Sequence, residues 1–298
     1  MVVRFIAENL VLDQLGRTRR VIYTMLWIGV LSNSSGRSSK SSRRGSASTY
    51  TSSRLKVLRL TKGDAKQWAR RYIGRYPFLF YNFYRLRPGY RDLLVDRRTQ
   101  IVIVGFPRSG NTFAVVAFQQ AQRENVRVAH HLHMPAQVIR AAQWGIPTLL
   151  LARKPADAVL SWVIRDPGVS IRQALKHYIS FYEKAAQYRD ALVVGFFEEV
   201  TRDYGTVLER VNAKFGTEFS TFVHSEENVK SVFDHIDEVH RARRGGRLDE
   251  KVITHPSAVK AGLKDALKEE LEAPEVRKLI ARAEAVYESL RHMEGRVL

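Results

Sequence analysis

Cysteine is absent from the 298 residues, which excludes disulfides, thiolate nucleophiles and cysteine-ligated metals. A reducing compartment is compatible with that absence. Acidic residues are few: 30 Asp and Glu stand against 49 Lys and Arg, for a formal net charge of +19. Such an excess attracts anions, whether nucleic acid, a phosphorylated nucleotide or acidic lipid, and charge alone does not choose among them. Apolar residues are not scarce. They make up 45% of the chain, enough to bury the core of one substantial α/β domain with an N-terminal extension.

Residues 1–31 form an N-terminal apolar segment whose strongest stretch, VIYTMLWIGVL at residues 21–31, follows Arg17, Arg19 and Arg20. That stretch is about half the length a helix needs to cross a bilayer, which favours a short buried or interfacial helix over a membrane anchor. Residues 32–54 are Ser-rich and broken by Arg37, Lys40, Arg43 and Arg44. They carry too few apolar groups to offset the entropy of ordering them, so a flexible linker is expected. Residues 56–98 interleave basic residues with Trp68, Tyr72, Tyr76, Phe78, Phe80, Tyr81, Phe83, Tyr84 and Tyr90. A single-stranded nucleic-acid surface has this composition, but the same rings can pack a helix against the main domain, and packing is the favoured reading.

From residue 99 the pattern becomes regular. Residues 101–104, 126–129, 148–152 and 191–194 read as short strands separated by helical stretches beginning at Thr112, Pro135, Pro155 and Ser170. Ser170 with Gln173 three residues later fits a capping box, and Ala174, Tyr178, Tyr182 and Ala185 fall on one face of the helix that follows. Residues 199–214 are expected as a helix closed by Gly216, with further helices at 228–242, 263–271 and 275–290. Strand and helix alternating four times predicts a three-layer α/β domain over residues 55–298, with a mostly parallel central sheet of the P-loop NTPase-like kind. Ligands of such sheets bind beyond the carboxyl ends of the strands.

The octet Gly105-Phe106-Pro107-Arg108-Ser109-Gly110-Asn111-Thr112 follows the first strand. Its glycines permit tight turns, and the N–H groups of Gly110, Asn111 and Thr112 would face an anion at a helix N-terminus. The spacing is that of a P-loop, but Asn111 stands where the lysine would, which disfavours an ATP-dependent kinase or NTPase. Arg108, inside the loop, is the nearer cation. Three histidines, His130, His131 and His133, follow the second strand. If that strand persists, His130 and His131 face opposite ways, and no acidic residue sits nearby, so no metal site is expected.

The segment Pro107-Arg108-Ser109-Gly110-Asn111-Thr112-Phe113 resembles the 5′-phosphosulfate loop of the sulfotransferase family. Arg153-Lys154-Pro155-Ala156-Asp157, with Ser161 eight residues after Arg153, resembles that family's 3′-phosphate element. His133-Met134-Pro135 matches its catalytic histidine triplet, and Phe197-Glu198-Glu199-Val200 is similar to an element near the adenine, with Phe197 in place of tyrosine. The resemblance covers residues 101–216. It implies 3′-phosphoadenosine-5′-phosphosulfate (PAPS) as sulfuryl donor, 3′-phosphoadenosine-5′-phosphate (PAP) as product, and no obligatory metal. It also implies Arg108 and His133 as catalytic, with His131 as the alternative base. The nucleotide would be held by Arg108, Ser109, Gly110, Asn111, Thr112, Phe113, Arg153, Ser161 and Phe197. Two late basic segments, residues 243–246 and 257–260, are both candidates for a further 3′-phosphate contact.

The acceptor is a small molecule, lipid, glycan or protein, with nucleic acid disfavoured as a partner. A cytoplasmic location is expected; peripheral membrane contact through the N-terminal segment and a homo-oligomer stay open. The competing readings are a nucleic-acid or anionic-surface binding protein that uses the basic N-terminal region, and a magnesium-dependent P-loop kinase.

Overall fold

In the computed structural model, residues 62–243 and 258–294 are described. The expectations for residues 1–54 lie outside them, as do residues 244–246 and 257 of the two late basic segments. Helices α1 (Lys62–Arg75) and α2 (Pro77–Arg85) come first, then a 3-10 turn at Arg91–Leu93. The core begins with β1 (Ile101–Gly105), α3 (Asn111–Ala121), β2 (Val128–His130), α4 (Pro135–Trp144) and β3 (Thr148–Ala152). It continues through α5 (Pro155–Arg165), α6 (Ile171–Ala185), β4 (Val193–Phe196), the single turn α7 (Phe197–Val200) and α8 (Tyr204–Phe215). Helices α9 (Glu226–Arg243), α10 (Ala258–Leu271) and α11 (Pro274–Glu294) follow.

The four strands pair in the order β2-β1-β3-β4, every pair parallel. Parallel strands buried on both faces need helices on both, and the side-chain alternation divides the core accordingly. Val102, Val104, Leu150, Ala152 and Val194 meet α4, α5, α6 and α11, whereas Ile101, Ile103, Leu149, Leu151 and Val193 meet α3, α8 and α9. Each such side chain fully withdrawn from water contributes about 1.5–3 kcal/mol. This is the expected three-layer α/β class. The chain leaves β1 for β2 on one side and then crosses to β3 on the other, so a crevice opens beyond the carboxyl end of β1.

The capping box at α6 is formed: Ser170 Oγ accepts from the Gln173 N–H at 3.2 Å, and the Ser170 N–H donates to Gln173 Oε1 at 3.1 Å. Ala174, Tyr178, Tyr182 and Ala185 are all fully buried. The helix expected over 199–214 is in fact two. Asp203 interrupts it by accepting the N–H and hydroxyl of Thr206, at 3.3 and 2.7 Å, and so starts α8 afresh. The fourth strand begins two residues later than expected because Ala191 closes a 3-10 turn, Ala186–Ala191. β2 is likewise displaced toward its end and closes at His130, so His131 lies outside it.

The basic-aromatic segment divides. Phe80, Tyr81 and Tyr84 are buried, while Tyr76, Phe78 and Phe83 remain exposed. Gln137 of α4 fastens the buried part: its Oε1 accepts from the Tyr81 hydroxyl at 2.7 Å and the Val95 N–H at 3.1 Å, and its Nε2 donates to the Leu93 carbonyl at 2.6 Å.

Tyr182 performs the corresponding task for the loop after β1. Its hydroxyl donates to the Leu151 carbonyl at 2.7 Å and accepts from the Phe106 N–H at 3.3 Å. With its one proton so committed, it accepts from Ser109 Oγ at 3.4 Å. Replacing Tyr182 with Phe strands these buried partners and is expected to cost about 1–3 kcal/mol. Guanidinium denaturation checks this, the midpoint falling with little change in slope.

Candidate nucleotide and acceptor site

The loop between β1 and α3 is built so that two of its polar side chains serve the loop itself. Ser109 is fully buried; its N–H donates to the Phe106 carbonyl at 3.2 Å and its hydroxyl to Tyr182. Asn111 Nδ2 donates to the same Phe106 carbonyl at 2.9 Å, while Asn111 Oδ1 is buried without a partner. Phe113, the third residue of α3, faces away from the loop and packs against Phe222 and Phe233. Ser109 and Phe113, both expected on the nucleotide, are buried, Ser109 held by the Tyr182 hydroxyl and Phe113 by the Phe222 and Phe233 rings. Gly110 caps α3 with φ 85°, a left-handed conformation that a side chain would strain, and a Cβ there would press on the Phe197 ring at 3.3 Å. The N–H groups of the first turn of α3 lack carbonyl partners within their own helix, as at any helix start.

Arg108, with φ 69°, turns its guanidinium across this opening: Nε donates to Ser161 Oγ on α5 at 2.9 Å. Arg153, just past β3, donates from Nη1 to the Arg108 carbonyl at 3.1 Å and lies over the Phe197 ring, 3.9 Å from its centre. The Tyr178 hydroxyl, from α6, holds the Arg153 carbonyl at 2.7 Å. The residues expected at the two ends of the nucleotide thus form one continuous cluster, with Ser161 bound to Arg108 and Phe197 covered by Arg153. Burial, followed by the charges of Arg165 and Arg153, pulls the Arg108 pKa down to about 10. Burial also lowers that of Arg153, against the opposing pull of Asp157 and Glu198. Both stay cationic at neutral pH, and the ionised groups acting on Arg108 are themselves cations.

Beyond β2 the backbone makes a sharp turn, with φ 62° at His131 and 49° at His133. His133 Nδ1 lies 2.8 Å from the Gly105 carbonyl. A carbonyl can only accept, so Nδ1 carries the proton and Nε2 of the neutral ring keeps its lone pair. Burial, then the Arg70 and Arg165 charges, lowers the His133 pKa to about 4 despite that hydrogen bond. His131 is differently placed. Its Nε2 lies 3.2 Å from Thr112 Oγ1 and its Nδ1 meets Nδ1 of His130, so the two rings face each other instead of diverging as an unbroken strand would place them. Among the described residues, no three His, Asp or Glu side chains gather as metal ligands would.

Sequence reasoning missed His177, Arg165 and Arg70. His177, in α6, donates from Nε2 to the His133 carbonyl at 3.2 Å and so props the strained turn from beneath. It is buried among Phe106 and Trp162, which drives its pKa down to about 3. Nothing in its helical position distinguishes it from a core residue beside Tyr178. Arg70 belongs to the basic-aromatic segment, and only the tertiary fold brings it near the histidines.

No family model matches the chain, and no curated protein matches it in sequence. Among solved structures it is similar to the mouse sulfotransferase SULT7A1 in complex with PAP. The identity is 14%, over 65% of this chain and 92% of that one, with a TM-score of 0.40.

Proposed function

We propose that this chain is a sulfotransferase that moves the sulfuryl group of PAPS to an acceptor hydroxyl or amine. The observation that carries the reading is the clustering of Arg108 with Arg153 beyond the carboxyl ends of β1 and β3, two largely buried arginines joined by a hydrogen bond of 3.1 Å from Arg153 Nη1 to the Arg108 carbonyl. Burying like charges together is costly, and an anion with several oxygens is the partner that relieves it. A doubly phosphorylated adenosine suits the donor set. The first-turn N–H groups of α3 and Arg108 meet the 5′ side, Arg153 and Ser161 the 3′-phosphate, and Phe197 offers an aromatic face. Asn111, committed to the loop, cannot do the work of a P-loop lysine, which disfavours phosphoryl transfer from ATP.

His133 supplies the base. Its Nε2 takes the acceptor's proton as the acceptor oxygen or nitrogen bonds to sulfur. The bond from sulfur to the 5′-phosphate oxygen breaks, and PAP departs with that electron pair. Arg108 stays protonated throughout and acts by charge. His131 is the weaker candidate, since both its ring nitrogens are engaged.

Sulfuryl transfer, followed as PAP release that depends on acceptor, tests the assignment. His133→Ala should lower kcat by about a hundredfold or more while PAP affinity survives, and His131→Ala should act more mildly. Undiminished turnover in His133→Ala would remove it as the base.

The acid limb of kcat/KM should lie near pH 4, because His133 is already neutral at pH 7 and loses its lone pair only as pH falls through about 4. The fold itself weakens on acidification. His133 and His177 are depressed from 6.5 to about 4 and about 3, so below pH 6.5 the unfolded chain binds more protons than the folded one. Rates are therefore compared only where circular dichroism is unchanged.

A further inference from the structure

Helix α1 lies directly over the histidine turn. Gly74 is buried there, and a methyl group added to it would overlap Met134 Sδ, the neighbour of His133. Arg70 precedes Gly74 by four residues and so shares its face of α1, above the same turn. Its Nε is buried with no hydrogen-bond partner. Its charge acts on both His133 and His177. Arg165, at the end of α5, acts on His133 and Arg108, whereas the carboxylates that act on the cluster, Asp157 and Glu198, do so at Arg153. The surroundings of His133 are accordingly cationic, and Arg70 comes from an element that has no part in the nucleotide cluster.

We propose that the acceptor is itself an anion, with a carboxylate, sulfate or phosphate group bound by Arg70 while its hydroxyl or amine lies at His133 Nε2. This rests on the sulfotransferase reading. A neutral acceptor would leave the buried Arg70 Nε unpaired and would add a third positive charge beside Arg70 and Arg165 when His133 takes up its proton. An anionic substituent satisfies Arg70 and offsets the imidazolium. It also removes the influence by which Arg70 weakens His133 as a base, so the correct acceptor strengthens the base that it needs.

The full chain is assayed with PAPS and acceptors paired by charge: para-hydroxybenzoate against para-hydroxybenzamide, and glucuronate against glucuronamide. PAP affinity is measured by calorimetry alongside. The anionic member of at least one pair is expected to have a kcat/KM about tenfold or more higher, the worth of one charge-assisted hydrogen bond. Arg70→Gln should erase that preference, Arg70→Lys should keep part of it, and PAP affinity should be equal in all three proteins. Equal use of both members, a preference that survives Arg70→Gln, or PAP binding with neither member of any pair turned over would overturn the inference. A chain that fails to bind PAP at all strikes the donor reading first and the acceptor inference with it. Transfer that favours neutral acceptors leaves the donor reading standing and overturns this inference alone.

Discussion

Two guanidinium groups withdrawn from water at the end of a parallel sheet are the constraint around which the rest of this structure is arranged. Arg108 reaches its place only because its own backbone adopts φ 69°, and Arg153 only because the carbonyl of Arg108 accepts its Nη1. The loop beneath them is correspondingly rigid. Tyr182 gathers Phe106, Ser109 and Leu151 on one hydroxyl, and Asn111 closes the loop onto the carbonyl of Phe106. These bonds lie in the apolar layer between β1, β3 and α6, where an unmade hydrogen bond is expensive, so they hold the cations in position before any ligand arrives.

The same economy of orientation governs the histidine turn. The Gly105 carbonyl at the end of β1 fixes the tautomer of His133, and the ring of His177 fixes the carbonyl of His133. Both histidines are kept neutral by burial and by surrounding arginines, and in His133, whose Nδ1 carries the proton, the lone pair is left at Nε2. The strand order places this turn, at the end of β2, beside the loop at the end of β1. The arginine cluster and a neutral imidazole are therefore brought to the same end of the sheet.

Much of this was legible in the residues. Short β-branched or leucine-rich runs followed by Pro135 and Pro155 mark strand-to-helix junctions, because proline fits the first helical turn and little else nearby. The capping residues around Ser170 and the buried stripe through Tyr178 and Tyr182 were legible for the same local reason. Failures came where a local signal was weak or a tertiary contact decided. Asp203 is an adequate N-cap inside a helical pattern, and it divided one expected helix into two. Ser109 and Phe113 belong to the phosphate-loop pattern, yet tertiary contacts with Tyr182, Phe222 and Phe233 hold both in the interior. The approach of Arg70 to His133 depends on the packing of α1, which no spacing within the basic-aromatic segment encodes.

Calorimetric titration of the metal-free chain with PAP and, separately, with ADP tests the role of the arginine pair most directly. A site built from Arg108 and Arg153 around both ends of one nucleotide predicts that PAP binds tightly and ADP, lacking the 3′-phosphate, at least tenfold more weakly. Equal affinity for the two, or binding that appears only when magnesium is added, would contradict it.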